Sequence, residues 1–535
     1  MTVPISYPGV YIEEIPSGVH TIVGVATSIT AFLGQAAQGP TRSASTVFSY
    51  SDYVRLYGDL DVDHPMGFAV RDFFLNGGSQ AVIARLYKAP ADATQKPSAS
   101  LVVGATNQLR LTANSPGPWG NFLLARVGHD TDAEVATDLG LAPADLFNLQ
   151  VRLGVTGPLE TYFNVTVKES ARRIDRVLAA QSSLVVIDSA TTLPGAVPEA
   201  SADPQPGVVV WADSSTAHVA GADQGHASDD LDAQAYSGDQ ATRQGKFLLE
   251  DVDLFNLVCV FGKKSAALLD SVVYGDILGY CVKRRAFLLV DPPTTWQHDQ
   301  LVSNPAAKLT GDVNLPRPAS RNAAVFYPRL LEANPLHNGA VEEFAASGAL
   351  AGVMARTDGE RGVWKAPAGI DAALTGVVGL ADNLTDAEQG ALNQVGINVL
   401  RTFPVYGRVI WGSRTVSGAD RIGDEYKYIP VRRTALFLEE SLYRGLQWVV
   451  FEPNAEPLWA QIRMNVGAFM QNLFRQGAFQ GTTPAAAYFV KCDKETTTQN
   501  DIDSGIVNIV VGFAPLKPAE FVVVQLQQIA GQVSV

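Results

Sequence analysis

A strand–helix–strand pattern in the middle of the chain constrains the fold more than any other stretch. Residues 257–261 and 286–290 are continuous apolar runs, and residues 265–283 between them have the length of a helix. Strands that are apolar on both faces are typical of parallel sheets covered by helices, in which a right-handed crossover joins neighbouring strands. The sequence therefore predicts a parallel β-α-β unit within an α/β (α+β) fold.

The composition divides the chain into a core and an insertion. Residues 21–94 and 246–505 alternate predicted strands and helices, whereas residues 95–245 are rich in short β-runs. Residues 199–239 hold eight acidic residues and no Lys or Arg, and such a charge run is typical of a solvated surface. We therefore predict a core domain built from N- and C-terminal parts, with an inserted β-rich outer domain between them.

The N-terminal end of the chain carries a strand pattern. The stretch Tyr7-Pro-Gly-Val-Tyr-Ile-Glu-Glu-Ile-Pro16 is a strand candidate centred on Val10, Tyr11 and Ile12. Proline cannot donate to a ladder, so the prolines at its two ends limit how far pairing extends. We predict an N-terminal arm over residues 1–20.

The C-terminal end carries two further β-runs, at residues 506–511 and 521–528. The residues that share one face of the second run are Val522, Val524 and Leu526. A terminal strand is joined to the body by one connection only, so it can pair in its own sheet or extend a neighbour's edge. We predict the second arrangement, with C-terminal strands and an arm over residues 506–535.

Charge and cysteine content exclude several classes of protein. With 40 Lys and Arg against 54 Asp and Glu, the net charge of 40 − 54 = −14 argues against non-specific nucleic-acid binding. Three widely spaced cysteines favour reduced, buried thiols over a disulfide framework or a zinc site. No signal-peptide pattern and no run of about 18 apolar residues is present, so we expect production in the cytosol and no direct membrane insertion. No nucleotide, metal or nucleophile motif occurs, and we predict no enzymatic activity, cofactor or metal.

Asp291 and His298 support the main alternative prediction. Asp291 follows an apolar strand, where α/β enzymes often place a catalytic acid, and His298 lies seven residues further on. With a charged loop at residues 356–361 they would make an α/β hydrolase-like enzyme. We prefer the structural interpretation, in which Asp291 caps a turn and ion pairs hold the loop. A monomeric binding protein is a third alternative.

Residues 457–476 have the most regular helical pattern in the chain. Arg463 and Arg475 lie off its apolar stripe, which is typical of a core-facing helix surface. The stripe consists of Leu458, Ile462, Val466, Phe469, Met470 and Leu473.

Three groups of motifs resemble the contractile tail sheath family, and they cover roughly residues 1–90 and 250–530 in the family's order. The first is Tyr7-Pro-Gly-Val-Tyr-Ile-Glu-Glu-Ile-Pro-Ser-Gly18, followed by Gly24-Val-Ala-Thr-Ser28 and Gly39-Pro40. The second is Ala355-Arg-Thr-Asp-Gly-Glu-Arg-Gly-Val-Trp-Lys-Ala-Pro367. The third comprises residues 445–452, Lys491-Cys-Asp493 and Gly512-Phe-Ala-Pro-Leu-Lys-Pro-Ala-Glu-Phe521. One departure is Phe344-Ala-Ala-Ser-Gly348, where the family pattern has a proline-containing Pro-Ser-Gly turn.

The resemblance implies a structural sheath subunit of a phage tail or of a phage-tail-like contractile injection system. Such subunits stack as rings around an inner tube, and their terminal arms complete a sheet shared with adjacent copies. The implied partners are further copies, the inner tube protein, and baseplate and tail-terminator or cap proteins, without nucleic acid. Assembly would take place in the bacterial cytoplasm, in a phage tail or a particle later released from the cell.

The resemblance also implies a mechanism. The extended sheath would be metastable, and a baseplate trigger would release one ring whose subunits rotate and slide outward as rigid bodies. Because the arms stay paired, each ring would pull the next. We predict that the helix at residues 457–476 faces the tube through Arg463 and Arg475.

Overall fold

An eight-stranded sheet forms the centre of the molecule. The structure is a computed structural model that describes residues 20–187, 192–263, 269 and 271–525. Six adjacent strands run parallel, and one antiparallel strand closes each edge. In order across the sheet the strands are Gly407–Ile410, Ile397–Phe403, Ala323–Tyr327, Phe287–Val290, Leu257–Val260, Thr30–Gly34, Ala81–Arg85 and Ser45–Val47.

The predicted β-α-β unit is confirmed. Strands Leu257–Val260 and Phe287–Val290 are parallel neighbours, with Leu257 opposite Phe287. The helix Ser271–Lys283 connects them. The α/β class is therefore also confirmed. The strand Thr30–Gly34 from the N-terminal part of the chain lies directly beside this unit, and Ala81–Arg85 lies next to it.

Both faces of the sheet are buried, which explains the continuous apolar runs. Along the strand Thr30–Gly34, Phe32 packs into one hydrophobic cluster, whereas Ala31 and Leu33 pack into the cluster on the opposite face. Successive side chains of a strand point to opposite faces, so a sheet covered on both sides needs apolar residues at every position. Helices cover the first face through residues such as Phe73 and the second through residues such as Ile277.

The helices lie mainly around this sheet and in the C-terminal part of the chain. Their bounds are Tyr50–Tyr57, Met66–Leu75, Ala133–Asp138, Ile174–Gln181, Ala233–Ser237, Ser271–Lys283, His298–Ser303, Pro305–Lys308, Ser347–Arg361, Asp386–Val395, Ile429–Gly445, Glu456–Arg475, Pro484–Ala487 and Gln499–Asp503.

The region between the strands Ala81–Arg85 and Leu257–Val260 has its own sheets and its own hydrophobic cluster. One sheet contains Ala217–His218, Leu123–Gly128, Leu146–Leu153 and Leu159–Thr166, and the other contains Ser100–Val103, Leu109–Ala113 and Val185–Val186. The remaining strands of the chain form a three-stranded sheet of Ala340–Phe344, Leu330–Asn334 and Gly379–Leu380, and a pair of Tyr488–Lys491 with Val510–Phe513.

Two helices that cover the main sheet approach each other closely at glycines. A Cβ on Gly348 would lie 2.1 Å from the carbonyl oxygen of Ala69, and one on Gly352 would lie 2.5 Å from that of Phe73. Any larger residue would push the helices Ser347–Arg361 and Met66–Leu75 apart. At the position where the family pattern has a Pro-Ser-Gly turn, Ser347 is the first residue of this tightly packed helix.

Two buried carboxyl groups, Asp72 on the helix Met66–Leu75 and Glu332 on the strand Leu330–Asn334, share one arginine partner. Arg71 donates to Asp72 Oδ1 at 3.0 Å and to Glu332 Oε2 at 2.6 Å, and both acidic side chains are almost fully buried. Asp72 Oδ2 and Glu332 Oε1 receive no other hydrogen bond within the described residues. Burial and the charge of Asp72 raise the pKa of Glu332 to about 9. At neutral pH the pair therefore retains a proton.

Replacing Glu332 by glutamine is expected to flatten the dependence of stability on pH. Between the ordinary carboxyl pKa of 4.5 and the folded-state value of about 9, the folded chain binds a proton that the unfolded chain has lost. Stability consequently falls as the pH rises through this window. Glu332→Gln lacks this titration, so thermal unfolding between pH 5 and 9 should show a smaller decrease than in the parent. The exposed Glu495→Gln is the control, and identical profiles for parent and Glu332→Gln would contradict the assignment.

Candidate functional site at the two chain ends

The first described residues run along one helix of the C-terminal region. The segment from residue 20 to residue 27 runs antiparallel to the helix Ile429–Gly445, from beyond the helix C-terminal end towards its first turns. In chain order the contacts are His20 stacked on Trp448 at 4.2 Å between ring centroids, Ile22 against Gly445, Val25 N–H donating to Ser441 Oγ at 3.2 Å, and Thr27 beside Arg433.

A buried ion pair holds the inner end of this segment. Arg433 donates through two guanidinium nitrogens to both carboxylate oxygens of Asp358, at 2.9 and 2.6 Å, and each side chain is 3% exposed. Thr27 Oγ1 donates to Asp358, and the Thr27 carbonyl accepts from Arg433. Burial raises the pKa of Asp358 and the charge of Arg433 opposes that rise. The cluster joins the N-terminal segment to two helices of the core.

The last strand within the described residues forms a two-stranded ribbon. Val510–Phe513 pairs antiparallel with Tyr488–Lys491, and Phe489 and Val510 are about half exposed. In the described part of the chain no third strand flanks either edge of the ribbon. Isolated two-stranded ribbons are marginally stable, and their free edges offer unpaired backbone groups to a further strand.

Beyond the ribbon, Glu520 fastens the chain back onto the core. Arg414 is almost fully buried and donates to both oxygens of Glu520, at 2.7 and 2.6 Å. Asn393 and Tyr428 complete the set with donors at 2.8 and 3.1 Å. Although burial acts in the opposite direction, these hydrogen bonds lower the pKa of Glu520. Bidentate Arg–carboxylate pairs are among the stronger polar contacts in proteins, so residue 520 is a firm anchor.

Immediately after this anchor the chain is exposed. Residues 521–525 form no strand, and the side chains of Phe521, Val522, Val523 and Val524 are 74 to 82% exposed. Four adjacent, exposed, β-prone apolar residues are unusual on a protein surface. The segment has the composition of a strand, but no strand among the described residues pairs with it.

The described residues include only part of the predicted arm strands. The first predicted tail run does form a strand, displaced to Val510–Phe513, whereas residues 521–525 form no strand in the described part of this single chain. The pairing of residues 521–528 with another copy stays a prediction. Val522 and Val524 lie in the exposed segment. Outside the described residues are Val10, Tyr11, Ile12 and Leu526.

The two predicted tube-facing arginines have different environments. Both lie on the helix Glu456–Arg475. Arg463 pairs with Glu456 at 2.6 Å and also donates to the carbonyl of Cys492. Arg475 is exposed and forms no ion pair with any described residue. Only Arg475 therefore has a charge that is free to contact another molecule.

Asp291 has a structural role, although it caps a helix and not the turn that the sequence predicts. Its carboxylate accepts from the backbone N–H groups of Ala346 and Ser347, at 2.9 and 3.0 Å, and from Ser347 Oγ at 2.6 Å. These donors open the helix Ser347–Arg361, so Asp291 caps its N-terminus from another element. Burial raises the pKa of Asp291, and the bonds from Ser347 oppose the rise.

The remaining parts of the alternative enzyme site do not join Asp291. His298 lies between Asp382 and Glu388, with Nδ1 2.8 Å and Nε2 3.2 Å from their oxygens, and the hydrogen bond to Asp382 raises the pKa of His298. Residues 356–361 are the end of a helix and not a loop, which corrects the prediction. A nucleophile–base pair is not assembled by these groups, and no cluster of metal ligands occurs among the described residues. No helix in the described ranges has the length and apolar character needed to span a membrane.

Comparisons with known proteins agree on one family. The phage tail sheath protein central domain matches residues 255–416, and the phage tail sheath C-terminal domain matches residues 423–529, about half of the chain together. The tail sheath protein of Vibrio phage KVP40 is 27% identical over 177 residues, which make up 33% of this chain. The match covers 25% of the length of that curated relative.

Solved structures share the fold along almost the whole chain. The sheath of the extracellular contractile injection system PVC in its contracted state is 21% identical, with a TM-score of 0.56 and coverage of 98% of this chain and 99% of that one. The contracted helical sheath of the anti-feeding prophage is 23% identical, with a TM-score of 0.56 and coverage of 98% and 100%. The sheath tail protein of Listeria innocua is 12% identical, with a TM-score of 0.58 and coverage of 93% and 96%. The two domain matches together show that this chain belongs to the phage tail sheath family.

Proposed function

We propose that this chain is the structural subunit of a contractile sheath, which polymerises as stacked rings around an inner tube and shortens to drive that tube through a target envelope. One observation carries the proposal: the exposed apolar segment at residues 521–525 begins directly after the Glu520–Arg414 anchor. A strand that is firmly held at its base and unpaired beyond it is built to pair with another copy.

The two anchors suggest how movement passes between copies. A charged clamp holds each chain end to the core, Thr27–Asp358–Arg433 near one end and Glu520–Arg414 near the other. A pull on either arm is therefore delivered to helices and strands of the core and not to a loop. Rigid-body rotation of subunits connected in this way would draw successive rings along. The energy comes from the difference between two packed arrangements of the sheath, so no catalytic site is required.

The proposed partners are further copies of this chain, an inner tube protein, a baseplate and a tail-terminator or cap protein. Assembly is proposed in the bacterial cytoplasm, in a phage tail or a particle that is later released. Production of the full chain together with its tube and baseplate proteins, followed by electron microscopy, tests the function. Sheathed tubes in long and shortened forms are expected, whereas bare tubes beside a monomeric chain would refute it.

Reversing the charge of Arg475 is expected to separate sheath from tube. The exposed guanidinium is proposed to contact the tube surface, so Arg475→Glu should reduce co-sedimentation of sheath with tubes about tenfold, the scale of one lost interfacial charge contact. Arg463→Glu serves as the comparison. Because Arg463 binds Glu456 and the Cys492 carbonyl of its own subunit, its replacement should lower the stability of the subunit more than it lowers tube binding. Unchanged co-sedimentation of Arg475→Glu would remove residue 475 from the tube interface.

A further inference from the structure

A histidine bridges two carboxylates beside the first turn of the helix Asp386–Val395. His298 Nδ1 lies 2.8 Å from Asp382 Oδ2, and His298 Nε2 lies 3.2 Å from Glu388 Oε1. His298 begins the helix His298–Ser303, whereas Glu388 lies in the first turn of Asp386–Val395. The ring therefore connects two separate elements through both of its nitrogens.

The two contacts together require a proton on each ring nitrogen. A carboxylate oxygen only accepts hydrogen bonds, and a neutral imidazole has a single N–H donor. Only the imidazolium form of His298 can therefore donate to Asp382 and Glu388 at the same time. In the neutral ring, one nitrogen would present a lone pair to a carboxylate, which is repulsive.

The other groups around the ring do not replace its charge. Tyr327 is the remaining titratable group in contact, and its hydroxyl donates to Asp382 at 2.7 Å. The backbone N–H and the hydroxyl of Thr385 donate to Glu388 at 2.7 and 2.8 Å. No Lys or Arg of the described ranges forms an ion pair with either acid. His298 is thus the cation that the two carboxylates share.

This charge makes the bridge depend on pH in a defined direction. The hydrogen bond from Asp382 raises the pKa of His298 above the ordinary 6.5, burial opposes the rise, and Glu388 adds to it. Below pH 6.5 the ring is charged and the bridge has its full strength. As the pH rises through the raised pKa, the ring loses its proton and the stabilisation by the bridge is lost.

The far end of the same helix holds the C-terminal anchor. Asn393 Nδ2 donates to Glu520 at 2.8 Å, and the carbonyl of Asn393 accepts from Arg414 at 2.8 Å. Glu388 and Asn393 are little more than one turn apart, roughly 7.5 Å along the helix axis. Because a short helix moves as one rigid element, a bridge at its first turn restricts the movement of the anchor at its last turn.

We propose that protonated His298 is a pH-sensitive latch, which fixes the helix Asp386–Val395 to the helix His298–Ser303 and whose deprotonation loosens the C-terminal anchor at Glu520. The exposed segment at residues 521–525 starts at this anchor. Its base is consequently held more firmly in acidic than in alkaline solution. The latch adds to the subunit a regulatory contact that the proposed function does not require.

Nuclear magnetic resonance of the histidine rings tests the charge of the latch. In the soluble full chain, His298→Gln identifies the signal of His298, whose titration midpoint should lie above pH 6.5. Asp382→Asn should lower this midpoint, because it removes the partner with the largest effect. The exposed His218 forms no ion pair with a described residue, so its midpoint should not change. A His298 midpoint at or below 6.5 would overturn the proposal.

Proteolysis tests whether the latch reaches the anchor. For chymotrypsin to cut after the exposed Phe521, the residues before it must enter the protease in extended form, so Glu520 has to leave Arg414. The cleavage rate, taken relative to a free peptide of residues 515–527, therefore reports how often the anchor opens. In the parent this relative rate should rise with pH, by up to about tenfold for each pH unit by which the His298 midpoint exceeds 6.5.

Two replacements of the histidine separate its charge from its packing. His298→Gln lacks the charge, so cleavage should be fast throughout the pH range. His298→Arg keeps a cation at every pH, so cleavage should remain slow. His218→Gln is the matched control and should behave like the parent. An equal rise of the cleavage rate with pH in the parent and in His298→Gln, or a parent rate that does not change with pH, would overturn the proposal.

Both measurements use the soluble full chain and need no assembled sheath. A negative result would therefore remove the latch and leave the proposed function unaffected. The comparison with His298→Gln also excludes pH effects of other groups, among them the buried Glu332, because these effects persist in the variant.

Discussion

Deleting residues 521–535 is expected to abolish sheath assembly while leaving the fold of the subunit unchanged. Residues 521–525 have no strand partner among the described residues and their apolar side chains are largely exposed, so losing these five residues removes little packing. The Glu520–Arg414 anchor remains in place. Electron microscopy after production with tube and baseplate proteins should show bare tubes, and size-exclusion chromatography should show a monomer with the parent's thermal unfolding midpoint.

A control separates strand exchange from a general effect of surface hydrophobicity. Val208 and Val209 are exposed valines in the inserted region, far along the chain from both arms. Val208→Asp with Val209→Asp should leave assembly intact. Val522→Asp with Val524→Asp should have the same effect as the deletion, because it replaces apolar cross-strand contacts of a shared sheet by charges. Contractile sheaths of normal length from the deleted chain would contradict the role of the C-terminal arm.

Breaking the Arg433–Asp358 pair is expected to give the largest loss of stability of any single substitution considered. Both side chains are 3% exposed, and removing one partner leaves the other charge buried and unpaired. Arg433→Met should therefore lower the free energy of unfolding by about 3–5 kcal/mol. Urea unfolding of the assembly-deficient deletion variant, followed by tryptophan fluorescence, measures the effect without interference from polymerisation.

The double variant Arg433→Met with Asp358→Leu distinguishes the ion pair from simple packing. Replacing both charges by apolar groups of similar size should recover much of the loss, because the cost arises from the unpaired charge. The exposed pair of Arg55 with Asp52 provides the comparison, and Arg55→Ala should change stability little. A loss of under 1 kcal/mol in Arg433→Met would show that the N-terminal segment is not held by this cluster.

Local patterns predicted the core of the fold because its determinants are close in sequence. The apolar runs that became Leu257–Val260 and Phe287–Val290 report burial on both faces, and this property distinguishes a covered parallel sheet from a half-exposed antiparallel one. The sequence predicts that Asp291 caps a local turn, whereas its partners in the structure, Ala346 and Ser347, lie more than 50 residues away and begin a helix. The type of role was predictable from local sequence, but the contact was not.

The two charged clamps could not be predicted in the same way. Arg433 and Asp358 are 75 residues apart, and Arg414 and Glu520 are 106 residues apart. No spacing rule connects such pairs, because their proximity depends on how whole helices pack. The charged stretch at residues 356–361 was interpreted as a loop because its Arg, Asp and Glu residues are typical of one, whereas tertiary packing makes it the end of a helix.

The sequence alone predicted the α/β core and the resemblance to tail sheath proteins, and it places apolar, β-prone residues at both ends of the chain. These features follow from periodicity and from short motifs, which depend on neighbours in the chain. The tertiary structure was needed to show which charges hold the two chain ends to the core, Asp358 with Arg433 and Glu520 with Arg414. Such contacts join residues that are distant along the chain, and burial sets their strength, so they exist only once the sheet and helices have packed.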